Sequence, residues 1–162
     1  MKTIITTLIF LFVTAFSQAQ TIAAALEKYN RNTVTYIKVQ DLKADYSNYT
    51  ILDTRKRKEY EVSHLPGAIF IGDKEDFHNY LATNPDRSKP VVVYCSIGVR
   101  SEDAGETINN LGFTNVKNLY GGIFMWKDAG FNIVNSNNKP TDTVHVYSKE
   151  WGTYLKTGKK VY

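Results

Sequence analysis

One stretch decides the fold of this chain: Val91-Val92-Val93-Tyr94-Cys95-Ser96-Ile97-Gly98-Val99-Arg100. Its unbroken β-branched start predicts a central strand of a parallel sheet that is buried on both faces. Residues 100–111 follow helical spacing, with Ala104, Ile108 and Leu111 predicted to face inward. The stretch therefore predicts a strand, a short loop that begins at the cysteine, and a helix.

Apolar runs alternate with amphipathic segments on both sides of this stretch, a pattern typical of βα units around a mostly parallel sheet. The predicted strands cover residues 36–39, 50–53, 68–71, 91–94 and 115–119. The predicted helices cover residues 41–46, 55–62, 73–82 and 100–111, with a helical turn at 126–129. The 162 residues and 43% hydrophobic content suit one α/β domain with a single core.

The N-terminus has the pattern of a secretory signal peptide. Lys2 supplies a positive start, residues 4–16 are apolar except for threonines, and Ser17-Gln18-Ala19 places small residues before a cut. The apolar run is shorter than the roughly 20 residues of a transmembrane helix. We expect residues 1–19 to be cleaved, with an uncleaved anchor as the alternative. The protein would then be exported, periplasmic or secreted, with no stable membrane span.

The remaining charge balance is mild, because losing Lys2 leaves 19 of the 20 basic residues against 16 acidic ones. The basic run at residues 55–58 is followed at once by Glu59 and Glu61. We interpret it as the solvated first turn of a helix rather than a nucleic-acid patch, so no nucleic-acid partner is expected.

Cys95 is the single cysteine of the chain, so no internal disulfide can form. Ligands of open α/β sheets bind at the carboxyl ends of the strands, and backbone N–H groups that lead into a helix favour an anion. A thiolate would be held there, Arg100 adds a fixed positive charge, and Gly98 permits unusual backbone conformations. The alternative is a buried small hydrophobe; the flanking residues favour a reactive site.

Four segments resemble, in the same order, the motifs of the rhodanese family: Leu52-Asp53-Thr54-Arg55 with Glu59-Tyr60, His64-Leu65-Pro66-Gly67-Ala68-Ile69, Val92-Val93-Tyr94-Cys95-Ser96-Ile97-Gly98-Val99-Arg100-Ser101, and Leu119-Tyr120-Gly121-Gly122-Ile123 with Trp126 and Gly130. The resemblance covers about residues 36–134. Ser63 departs from it, since the family usually has glycine before the histidine.

The resemblance implies a rhodanese-like fold in residues 35–134, a five-stranded, mostly parallel sheet with helices on both faces, preceded by an extension at 20–34. It implies that Cys95 takes a sulfane sulfur from a donor such as thiosulfate and passes it, as a persulfide, to a thiol or cyanide acceptor. No metal or organic cofactor is needed. The active loop would comprise Ser96, Ile97, Gly98, Val99 and Arg100, with Arg100 orienting the anionic donor.

A second set of motif residues is expected to support this loop: Asp53, Arg55, Glu59, His64, Gly121 and Gly122. We predict that Asp53 and Arg55 brace the loop, with Arg55 paired to Glu59, and that His64 packs and forms hydrogen bonds. The glycines would form a tight turn near the cysteine. His78 and His145 match no motif and are predicted at the surface, and the histidines lack metal-ligand spacing.

The tail, residues 135–162, lies outside the resemblance. Residues 143–147 alternate like an edge strand, and Ser148 could cap a helix that carries Trp151, Tyr154 and Leu155. We expect the tail to pack on the domain. The alternative is a docking patch for a protein partner, since tryptophan and tyrosine are favoured interface anchors.

Two functional alternatives stay open. One is a relay module that holds a persulfide for a dedicated partner and turns over thiosulfate poorly. The other is a phosphatase or arsenate reductase. The resemblance disfavours the second, because the loop from Cys95 to Arg100 has six residues, as in sulfur-transferring members, whereas the related phosphatases and arsenate reductases carry one more.

Overall fold

The computed structural model describes residues 21–162, so the predicted signal peptide lies outside the described residues. The helices are α1 (Ile22–Tyr29), α2 (Val39–Ala44), α3 (Arg57–Val62), α4 (Lys74–Thr83), α5 (Arg100–Asn110) and α6 (Gly122–Asp128). The strands are β1 (Tyr36–Ile37), β2 (Thr50–Asp53), β3 (Ile69–Phe70), β4 (Val91–Tyr94), β5 (Val116–Leu119), β6 (Ile133–Val134), β7 (Pro140–Thr141), β8 (Thr143–His145) and β9 (Lys159–Val161). Within this part of the chain, no helix is long and apolar enough to span a bilayer.

Five parallel strands form the main sheet in the order β1-β5-β4-β2-β3. Strand β4 lies at the centre of this order, and every one of its side chains is buried, as the β-branched run predicts. Its register places Asp53 of β2 opposite Tyr94 of β4. The ends of these two strands therefore bring the acid next to the residue that precedes Cys95.

Successive side chains of β4 enter two different cores. Val92 and Tyr94 pack with residues of α1, α2 and α6, whereas Val91 and Val93 pack with residues of α4 and α5. Alternation along a strand places consecutive side chains on opposite faces. The predicted five-stranded parallel sheet with helices on both faces is thus confirmed.

Several local predictions were wrong. Helix α3 begins at Arg57 rather than at Arg55, and Arg55 is fully buried instead of solvated. Leu111 was predicted to face inward but is 46% exposed, because α5 ends one residue earlier and Leu111 occupies its C-cap. Helix α1 has no counterpart in the predicted elements.

The C-terminal segment, residues 135–162, forms two small strand pairs: β7 is antiparallel to β6, and β8 is parallel to β9. The segment contains a 3-10 turn over Trp151–Tyr154 where a capped helix was predicted. Its residues Val144, Val146 and Leu155 are buried in the same core as α6. Strand β8 lies against α3, which brings this segment to the edge of the cysteine loop.

Candidate active site

The cysteine loop runs from the end of β4 to the start of α5, and its backbone is hydrogen-bonded to the first turn of α6. The carbonyl of Cys95 accepts a hydrogen bond from the N–H of Ile123 at 3.0 Å, and that of Ser96 accepts one from Phe124 at 3.1 Å. Gly122 makes this approach feasible: its φ is +52°, and a Cβ there would lie 2.3 Å from the Cys95 oxygen. The structure therefore places Gly122 directly against the loop, whereas Gly121, with a φ of +76°, is the N-cap residue of α6 and lies against Met125.

The middle of the loop is fixed through Gly98, whose φ of +106° suits glycine. Its carbonyl accepts hydrogen bonds from the side chains of Asn118 at 2.8 Å and Asn30 at 2.9 Å. Sequence reasoning missed both asparagines. A signal was available for Asn118, which is a polar residue at a buried position of strand β5.

Cys95 is buried, with 1% of the residue exposed, and its sulfur accepts a hydrogen bond from the Gly98 N–H at 3.2 Å. Burial alone would raise the pKa of the thiol, but the positive charge of Arg100 and the polar groups of Ser101 and Gly98 outweigh it. The pKa of Cys95 therefore lies below its ordinary value. The site favours a thiolate, which is the nucleophilic form of cysteine.

Arg100 forms a two-pronged ion pair with the buried Glu59, with both N···O distances 2.9 Å. It also donates to the Ser96 hydroxyl at 3.0 Å. Burial would raise the pKa of Glu59, but Arg100 and the Lys56 N–H hold it below its ordinary value. The arginine that ends the loop is thus locked beside the sulfur by an acid from α3.

The predicted Arg55–Glu59 pair was wrong. Arg55 instead binds Asp53, with its NH2 group 2.7 Å from the carboxylate, and it donates to the Ser63 carbonyl at 2.5 Å. Arg55 precedes α3, so it does not share a helix face with Glu59. The Tyr94 hydroxyl completes this cluster by donating to Asp53 at 2.6 Å.

The prediction for His64 is confirmed, and the prediction for His145 was wrong. His64 is buried, stacks on Tyr60 with ring centroids 3.9 Å apart, and forms backbone hydrogen bonds with Val134. His145 was predicted at the surface but is 3% exposed, because strand β8 folds back against α3. Its Nδ1 accepts the Tyr147 N–H at 3.0 Å. Among residues 21–162, no cluster of acid, histidine and cysteine side chains is suited to a metal ion.

A pocket of about 230 Å³ opens above the sulfur. Its lining residues come from the loop and from the C-terminal segment: Cys95, Ser96, Ile97, Val99, Arg100, Tyr147 and Trp151. Sequence reasoning placed neither aromatic residue at the site. Their approach depends on how the C-terminal segment folds, which no local pattern encodes.

Residues 35–129, more than half of the chain, match the model of the family described as "Rhodanese-like domain". The chain belongs to this rhodanese-like family. Membership in this family supports transferase activity in general. It also implies that the substrates are small molecules that contain sulfur.

Several known proteins are similar in sequence to part of this rhodanese-like chain. It is 36% identical over 70 residues to the thiosulfate sulfurtransferase PspE of Escherichia coli, covering 43% of this chain and 67% of PspE. It is 30% identical over 100 residues to the uncharacterized protein YqhL of Bacillus subtilis, covering 60% of this chain and 76% of YqhL. It spans only 20% of the adenylyltransferase and sulfurtransferase of Candida albicans, at 27% identity over 49% of this chain.

A rhodanese-related protein of Thermoplasma volcanium has a similar structure, with a TM-score of 0.53 and 29% sequence identity. The superposition covers 62% of this chain and 97% of that protein. The shared fold is consistent with the parallel sheet and the helices on both of its faces.

Proposed function

We propose that this protein is a sulfurtransferase that moves sulfane sulfur from a donor such as thiosulfate to a thiophilic acceptor through a persulfide on Cys95. One observation carries the proposal. The Cys95 sulfur lies at the base of an open pocket, receives the Gly98 N–H, and has Arg100 beside it.

The first half-reaction is an attack of the Cys95 thiolate on the outer sulfur of thiosulfate. A bond forms between the two sulfurs, the sulfur–sulfur bond of thiosulfate breaks, and its electron pair leaves with sulfite. No proton or external oxidant is required. The persulfide that results remains next to the Gly98 N–H and the Arg100 charge, which favour its anionic form.

In the second half-reaction, an acceptor attacks the terminal sulfur of the persulfide, and the Cys95 thiolate leaves. Cyanide would give thiocyanate, and a thiol would give a new persulfide. The covalent intermediate divides one transfer into two steps and implies ping-pong kinetics. The fixed backbone around Gly98 and the Glu59–Arg100 pair would keep the site organised between them.

The direct test is thiocyanate formation from thiosulfate and cyanide by the purified protein, beside its Cys95→Ser variant. We expect turnover by the wild type and none by the variant, while both unfold with the same midpoint in urea. Equal turnover by the two proteins would remove Cys95 from the mechanism.

A second candidate is the relay module, favoured by the approach of Tyr147 and Trp151 to the pocket. Deletion from Thr141 onward would be a poor test, because it removes Val144, Val146 and Leu155 from the core. A kinetic test is better. A relay module would form the persulfide with thiosulfate in one rapid turnover but pass it to cyanide or small thiols only slowly.

Export is a separate proposal, based on the pattern of residues 1–19. We propose that the protein is cleaved after Ala19 and acts outside the cytoplasm. The intact mass of the protein recovered from its native compartment tests this. A chain that starts at Gln20 supports cleavage, and a chain that retains Lys2 contradicts it.

A further inference from the structure

The C-terminal segment supplies one wall of the Cys95 pocket, although it lies outside the residues that match the family. Tyr147 and Trp151 form this wall, and Ile97 and Val99 of the loop add apolar surface. Of the described residues that line the pocket, only Arg100 is charged. The reacting sulfur is therefore approached through a small space that is mostly apolar.

Both aromatic residues are held in place. Tyr147 has a φ of +67°, which is disfavoured for a residue with a side chain, and its N–H is bound by His145. Its ring lies 5.0 Å from the Lys56 ammonium and 5.3 Å from the Arg100 guanidinium. These contacts orient the ring at the mouth of the pocket.

Trp151 is held in place by contacts of its backbone and of its ring. Its backbone N–H donates to the Ser148 hydroxyl at 3.3 Å, and the centroid of its ring lies 6.1 Å from that of Tyr29 and 5.7 Å from that of Tyr154. The wall is thus a built surface whose two aromatic members come from separate turns of the segment.

The charge balance of the pocket disfavours a dianion. Glu59 pairs with Arg100 through two hydrogen bonds of 2.9 Å, so part of the Arg100 charge is already compensated when an anionic donor enters beside the Cys95 thiolate. Moving a doubly charged anion from water into such a site carries a larger desolvation penalty than moving a singly charged one. An apolar substituent on the donor would instead gain by displacing water from the aromatic wall.

We propose that Tyr147 and Trp151 are specificity-determining residues that select a singly charged sulfane donor with an apolar substituent, an organic thiosulfonate, over thiosulfate. The inference rests on the proposed sulfurtransferase function. The thiolate of Cys95 attacks the terminal sulfur of the thiosulfonate. The new sulfur–sulfur bond forms as that of the donor breaks, and the electron pair leaves with the organic sulfinate, so charge is conserved.

Three donors separate the contributions of charge and ring contact: thiosulfate, methanethiosulfonate and benzenethiosulfonate, each with cyanide as acceptor. We expect kcat/KM to rise along this series, with about a tenfold preference for benzenethiosulfonate over methanethiosulfonate, the scale of discrimination that an apolar pocket supplies. Trp151→Ala and Tyr147→Ala should reduce this last ratio towards one, mainly through the KM for benzenethiosulfonate.

Matched variants control for folding. Trp151→Phe keeps an aromatic ring and should retain the preference, and Tyr162→Ala removes an exposed aromatic residue that does not line the pocket and should leave it unchanged. A wild-type ratio of one or less, a ratio that neither alanine variant alters, or a kcat/KM for thiosulfate that equals or exceeds that for benzenethiosulfonate would overturn the inference. Absence of thiocyanate with all three donors would instead contradict the proposed function itself.

Discussion

Two buried carboxylate–arginine pairs lie near the carboxyl ends of β2 and β4, and they differ in the surroundings of the guanidinium. The side chains of Asp53 and Arg55 are both 0% exposed. Glu59 is equally buried, but its partner Arg100 is 36% exposed at the side chain and lines the pocket. The same residue chemistry thus forms one sealed pair and one pair that faces the reacting sulfur.

The difference separates a structural role from a chemical one. The sealed pair connects the end of β2 to the Ser63 carbonyl and to Tyr94, so both of its charged groups form hydrogen bonds within the protein interior. The open pair keeps the Arg100 charge close enough to lower the pKa of Cys95. Changes to the first should affect mainly stability, whereas changes to the second should also affect the reactivity of Cys95.

The largest expected effect is that of Asp53→Ala, which leaves Arg55 buried without its acid. We expect the free energy of unfolding to fall by about 3–5 kcal/mol, as for other broken buried pairs. Urea denaturation measures this loss. Glu61→Ala is the matched control, because it removes an exposed acid of α3 and should not measurably change stability. A loss for Asp53→Ala as small as that of the control would show that the pair is not structural.

Tyr94→Phe tests the same cluster by removing a single hydroxyl group. The hydroxyl donates to Asp53 at 2.6 Å and accepts the Leu65 N–H at 3.1 Å, so its loss removes one of the partners of Asp53 and leaves the buried Leu65 N–H without one. We expect a loss of about 1–3 kcal/mol in the same denaturation experiment. An unchanged midpoint would mean that water replaces the hydroxyl.

Arg100→Ala tests the open pair through the pH dependence of Cys95 alkylation by iodoacetamide. Because the folded pKa of Cys95 is lowered, the reactive thiolate persists below the ordinary thiol pKa and is lost as the pH falls through the folded pKa. Removing the charge should move the midpoint of alkylation to higher pH. At pH 7 the rate should fall by at least about tenfold, since contacts to a charged group contribute about 1.5–3 kcal/mol and about 1.4 kcal/mol is a factor of ten.

Two further variants sharpen the Arg100 experiment. Arg100→Lys retains a positive charge and should shift the midpoint less than Arg100→Ala. Folded Asp53→Ala should keep the wild-type midpoint even though it is less stable. If Asp53→Ala and Arg100→Ala shift the midpoint equally, the distinction between the two pairs fails.

The smallest effect is expected for an exposed pair, Arg57 with Asp73 at 3.0 Å. Arg57 is 51% exposed at its side chain, and solvent and salt screen such contacts. Arg57→Ala should leave thiocyanate formation unchanged and lower the free energy of unfolding only slightly, since its guanidinium also contacts Asp76 and the Phe70 ring. A clear loss of activity would give α3 a role in the site beyond Glu59.

Sequence reasoning predicted the parts of the molecule that local pattern encodes. The β-branched run of β4, the glycine in the loop and the alternation of strands with helices predicted the sheet and the position of Cys95. The partner of Arg55 was not predictable in this way, because Asp53 lies two positions before it and Glu59 four positions after it, and both acids are within reach of its side chain along the chain. Arg55 binds Asp53 because both lie at the buried end of β2, and this placement depends on the tertiary structure.

The C-terminal segment shows a second limit. Its alternation predicted a strand near residues 143–147, but nothing local indicated that His145 would be buried or that Tyr147 would adopt a positive φ. Both follow from the packing of β8 against α3 and its pairing with β9. The aromatic wall of the pocket therefore depends on long-range contacts.

The central claim, sulfur carriage on Cys95, is tested most directly by intact mass after a brief incubation with excess thiosulfate. The account predicts that the wild-type protein gains the mass of one sulfur atom, that cyanide removes it as thiocyanate, and that Cys95→Ser gains nothing. A folded wild-type protein that acquires no sulfur, or a Cys95→Ser variant that acquires as much, would contradict it.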